Sequence, residues 1–65
     1  MDPKKIIRAA KRQGWTEKPL RKGVMLVPPD ASKQAVTWHG SPSDVRAVRN
    51  FLALMRGSGL IWPPP

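Results

Sequence analysis

His39 is the single histidine of the chain, and so the one imidazole that could serve as a general base near neutral pH. It stands between Trp38 and Gly40 with no carboxylate pair in its neighbourhood to orient it. There is no cysteine, which removes thiolate nucleophiles, zinc fingers and disulfide scaffolds together. The hydroxyls fare no better: Ser32, Ser41, Ser43 and Ser58 sit where turns and caps want serine, and none has a G-x-S-x-G or S-x-x-K context. A lone histidine at a loop is more often a packed or hydrogen-bonded residue than a catalyst. The expectation is therefore no enzyme, no metal site and no cofactor.

Charge is the stronger signal. Twelve Lys and Arg face four Asp and Glu, a formal net charge of +8, so at least eight cations lack an acidic partner. Arg46, Arg49 and Arg56, with Asn50 and Ala53 between them, recur at spacings that place them on one side of a helix, away from Val48. A second block holds Lys4, Lys5, Arg8, Lys11, Arg12, Lys18, Arg21 and Lys22, with Glu17 as the only acid in its span. Charged residues belong on the outside in any case, and a solvated face is the plain alternative. Like charge crowded on so small a surface nevertheless favours a polyanion partner. Lys and Arg gain affinity for a phosphate backbone by releasing its condensed counterions, without reading sequence. The expected phosphate contacts are Lys4, Arg8, Lys11, Arg46, Arg49 and Arg56. Ser41 and Ser43, at a helix start, offer a weaker place for a phosphate.

The elements that must position these side chains follow from caps and periodicity. A chain of 65 residues is one small domain, here 1–62, with 63–65 a flexible proline-rich tail. Asp2-Pro3 is a helix start, Ile6, Ile7 and Ala10 recur at helical spacing, and Gly14 stops the helix, which spans 3–13. Trp15-Thr16 is extended, Pro19 makes that segment an edge, and Arg21-Lys22-Gly23 is a turn before Val24–Val27. Pro28–Ser32 is a second connection and Gln34–Trp38 a third strand. Ser41-Pro42-Ser43-Asp44 reads as a capping-box variant opening a second helix over 42–56, with Val45, Val48, Phe51, Leu52 and Met55 as its apolar stripe and Gly57-Ser58-Gly59 as its stop. Neither stripe is stable alone. The fold class is accordingly α+β: an α-β-β-β-α two-layer sandwich, both helices on one face of a three-stranded antiparallel sheet. Trp15, Trp38 and Phe51 are the largest side chains available to fill its core, while Trp62 is unassigned. Along the second strand Val24 and Leu26 face one way, Met25 and Val27 the other, so Met25 and Val27 are a candidate surface for a protein partner.

The longest apolar runs, such as Val24–Val27, are far short of the roughly 20 residues that cross a bilayer. No cleavage site follows Ile6-Ile7. A soluble, cytoplasmic protein with no membrane partner is expected.

At this point the residues resemble a known family. A first helix ending in Lys11-Arg12-Gln13-Gly14-Trp15, Lys22-Gly23 opening the second strand, Trp38-His39-Gly40 leaving the third, and Arg56-Gly57-Ser58-Gly59-Leu60 closing the last helix are similar to HicA-type toxins, the small mRNA interferases of bacterial toxin–antitoxin pairs. The likeness covers nearly the whole chain. It implies a fold like the double-stranded RNA-binding domain, a touch on RNA and an acidic antitoxin partner. In that family the second strand opens Gly-Ser-His with a catalytic histidine, whereas this chain reads Gly23-Val24-Met25. Met25 cannot take a proton from a ribose 2′-hydroxyl, so the resemblance implies a scaffold that binds without cutting. The expected function is a catalytically inactive nucleic-acid binder, for structured RNA above all. The alternative is a phage or toxin–antitoxin-like factor that binds or inhibits an acidic host or antitoxin-like protein.

Overall fold

A computed structural model describes residues 2–41 and 43–65. The order is α1 (Pro3–Arg12), β1 (Thr16–Leu20), β2 (Gly23–Val27), β3 (Val36–Trp38) and α2 (Val45–Gly57). This is the α-β-β-β-α order expected from turns and periodicity. The strands form one antiparallel sheet in the order β1-β2-β3.

Both helices begin and end by the same physics. Asp2 caps α1 by accepting from the Lys4 backbone N–H at 2.9 Å, with Pro3 in the first turn, where its missing N–H costs nothing. Asp44 caps α2 by accepting from the Ala47 N–H at 3.1 Å. That corrects the expected start. The cap is Asp44 and not Ser41, so α2 begins at Val45, and the expectation that places Pro42 in its first turn lies outside the described residues. Val45, read as part of the apolar stripe, is 59% exposed in the opening turn of α2.

Each helix closes in a Schellman motif. Trp15 N–H donates to Ala10 O at 3.0 Å and Gly14 N–H to Lys11 O at 3.2 Å, while Leu60 N–H donates to Met55 O at 3.0 Å and Gly59 N–H to Arg56 O at 3.1 Å. Gly14 (φ 93°) and Gly59 (φ 106°) supply the left-handed residue in each case. The residue after each glycine, Trp15 or Leu60, turns back into the core beside Ala10 and Met55. Gly57, read as part of the stop, is the last helical residue.

The β1–β2 hairpin turns on Arg21-Lys22, since Leu20 pairs with Gly23. Gly23 belongs to the strand, not the turn. A Cβ there would fall on the Trp38 carbonyl oxygen and within 2.8 Å of His39 Cβ, so this glycine lets β3 approach. The third strand is shorter than expected, Val36–Trp38, with Gln34 and Ala35 outside it. Leu26 and Val36 are register partners and are the strand residues in the buried core. The core gathers Ile6, Ala10, Trp15, Val48, Phe51, Leu52, Met55 and Leu60 around them. Trp38 packs on its margin, ring centroid 4.9 Å from Phe51.

Candidate nucleic-acid interface

The question for a cationic surface is how many of its charges are already matched inside the protein. Three of the four acids are committed to backbone or near-neighbour groups. Asp2 and Asp44 cap the helices, and Asp30 accepts from the Ser32 hydroxyl at 2.7 Å and the Ser32 N–H at 2.9 Å. Those two bonds, with some help from Lys33, hold the Asp30 carboxyl below its ordinary range against a small desolvation penalty. The fourth acid, Glu17, pairs with Lys11 across the α1–β1 contact at 3.2 Å. Among the described residues no other Lys or Arg has a carboxylate within salt-bridge distance.

The structure collects the α1 cations. Lys4, Arg8, Lys11 and Arg12, four, seven and eight residues apart, line one shallow groove of about 440 Å³ with Ile7 and Glu17. This spacing aligns them along one face. Of the residues singled out in the sequence, Lys4, Arg8 and Lys11 thus share a groove, but Lys11 enters it already paired. Arg12 joins them, and Lys5 lines a second groove with Arg8 and Arg12 on the other flank of the helix. Spacing from Arg8 was the signal that could have added both. Lys11 and Arg12 also lie in the last turn of α1, and Arg56 in that of α2, where a cation offsets the partial negative charge of the helix end.

Arg46, Arg49 and Arg56 are exposed along α2, and none of them lines either α1 groove. They form a ridge of their own. The phosphate place read at Ser41 and Ser43 is corrected: the hydroxyls bond each other at 2.8 Å and the Asp44 carboxylate fills the capping position, so that end of the helix carries an anion of its own.

Met25 and Val27 are half-buried on a sheet face where their register partners are Lys18 and Thr37 for the one and Thr16 for the other, all exposed. Leu20, 43% exposed, shares that face by register. His39 is exposed and lines a groove of about 330 Å³ with Leu20, Lys22 and Gly23, a lining without a carboxylate. Among the described residues no cluster of three His, Cys, Asp or Glu could hold a metal ion, and no helix is long and apolar enough to cross a membrane. No protein-family profile, curated protein or solved structure matches the chain.

Proposed function

We propose that this protein binds nucleic acid, structured RNA above all, through phosphate contacts from Lys4, Arg8, Lys11 and Arg12 on α1 and from Arg46, Arg49 and Arg56 on α2, and that it does not cleave what it binds. One observation carries the reading: the acids are engaged in caps, a turn and one ion pair, so the cations of the α1 groove other than Lys11 have no matched carboxylate. A polyanion relieves that repulsion and gains counterion release as well. Duplex RNA is favoured because it is recognised by shape, through backbone and 2′-hydroxyl contacts that need cations on a rigid helix more than a pocket. The α-β-β-β-α order, which the HicA-like resemblance also implies, supports the same choice. Met25 in place of the family's histidine, and an exposed His39 whose groove holds no carboxylate, support binding without cleavage.

The test is a salt titration of duplex-RNA binding for the wild type and two triple variants, Lys4→Ala/Arg8→Ala/Arg12→Ala and Arg46→Ala/Arg49→Ala/Arg56→Ala. Each should bind more weakly, with a log–log salt slope shallower by about 0.9 for each phosphate contact removed, taking the duplex DNA value. A wild-type slope near zero removes the electrostatic reading, and an unchanged affinity removes the face concerned. RNA should stay intact with the wild type and with His39→Ala alike.

A second reading, docking of an acidic protein, is favoured by Leu20, Met25 and Val27 sharing one sheet face beside Lys18. Met25→Glu separates the two readings, because it should abolish capture of such a partner and leave RNA binding within about two-fold.

A further inference from the structure

Resting on the nucleic-acid reading, we infer that the groove between α1 and the C-terminal segment is a site for unpaired nucleotides, with a base stacked on Trp62 and the flanking phosphates on Lys5, Arg8 and Arg12. The groove, about 400 Å³, is lined by those four residues together with Gln13 and Pro64. Lys5, Arg8 and Arg12 follow one another at three and four residues, a straight row rising about 10 Å along the helix. Facing that row is an aromatic, half-buried Trp62.

Trp62 is held there by the chain itself. The Gln13 side-chain amide donates to the Ile61 carbonyl at 2.9 Å and its oxygen accepts from the Ile61 N–H at 2.9 Å. This two-way clasp, between residues 48 apart in sequence, mimics one rung of a β-ladder and pins the residue just before Trp62 to the end of α1. The indole is partly buried against the core, which orients it, and it still lines the groove. A pre-oriented aromatic face beside a cationic row is the combination that binds single strands, since every base has a π-face and every nucleotide a phosphate. Arg8 and Arg12 line both α1 grooves. A duplex held on one flank can therefore pass an unpaired end over the helix to the other.

The experiment compares three RNAs: a blunt duplex, the same duplex with a short unpaired overhang, and that duplex with an abasic overhang of equal length. For the wild type the base-bearing overhang should bind roughly ten-fold more tightly than the abasic one, within the range of aromatic–base stacking. Trp62→Ala should erase that difference and leave blunt-duplex affinity unchanged. Trp62→Phe, which keeps a stacking face and an aromatic ring against the core, should retain most of it. Equal binding of base-bearing and abasic overhangs by the wild type overturns the inference while the broader reading stands. A loss in Trp62→Ala that is equal for all three RNAs also overturns it, because the residue then acts through the fold. Failure to bind any of the three removes both readings. A polyglutamate peptide that binds as tightly as the overhang duplex and competes with it would assign the groove to an acidic protein instead.

Discussion

Glu17→Gln should strengthen nucleic-acid binding. Glu17 is the only carboxylate lining the groove shared by Lys4, Arg8, Lys11 and Arg12, and it holds Lys11 at 3.2 Å. A phosphate docking on Lys11 would approach to within about 6 Å of that carboxylate, adding a salt-bridge length to one hydrogen-bond length. The side chains of Lys11 and Glu17 are 56% and 35% exposed, so a dielectric near that of water applies. Two like charges at about 6 Å then repel by roughly 0.7 kcal/mol, which is about a three-fold penalty on affinity at low salt. Lys11 is also neutralised in the free protein, so transferring it from Glu17 to phosphate releases little net counterion. Glu17→Gln removes both effects. Binding should tighten about three-fold at low salt, and the log–log salt slope should steepen by about 0.9 as Lys11 becomes a full phosphate contact. Fluorescence anisotropy of a labelled duplex RNA, repeated across a salt series, measures both quantities. The exposed ion pair adds at most about 1 kcal/mol to stability, and a thermal melt shows whether the variant is folded at the assay temperature. Should the folded variant bind no tighter, with an unchanged slope, phosphates do not occupy this groove.

Further tests address the scaffold. Gly57→Ala and Gly59→Ala should have opposite signs: neither added Cβ meets an atom within 4 Å, yet Gly57 is helical and Gly59 has φ 106°. The first should raise stability by about 0.5–1 kcal/mol and the second lower it by about 1–2 kcal/mol, a separation of several degrees in Tm for a domain of this size. Gly23→Ala should cost more than Gly59→Ala in the same melt, because its Cβ meets backbone, the Trp38 carbonyl, rather than open space. For pH, the folded Asp30 carboxyl titrates below its unfolded value because of Ser32. Its contribution is therefore present above about pH 4 and is lost as pH falls through the lower folded value. In urea melts between pH 5 and pH 2.5, Ser32→Ala should flatten part of the acid-side decline, and a decline of equal depth in the variant would refute the assignment.

Much of the fold was legible along the chain because the signals are local. Asp2 and Gly14 bound the first helix within two or three residues of the backbone groups they satisfy, and Trp15 follows Gly14 where a Schellman motif needs an apolar residue. The second helix was read less well for a related reason. Ser41 and Asp44 can each accept from backbone N–H groups two or three residues ahead, and the spacing alone does not choose between them. The structure chooses Asp44, which shifts the start to Val45 and turns that side chain outward. The alternation of Met25 and Val27 against Val24 and Leu26 was readable too, since strand side chains alternate by geometry.

The candidate site divides along the same line. Charge excess and the presence of a single histidine are properties of composition, and they stand whatever the fold. Which cation has a partner is not such a property: Lys11 meets Glu17 because α1 docks against β1, and nothing in the five intervening residues requires it. The groove facing Trp62 depends on Gln13 reaching Ile61 across 48 positions. The chain by itself determined the element order, the cap of the first helix and the excess of positive charge, because hydrogen bonds within a turn and net charge require no long-range contact. Only the tertiary structure decided which charges share a groove and where the last tryptophan rests, because those depend on how separate elements pack against a common core.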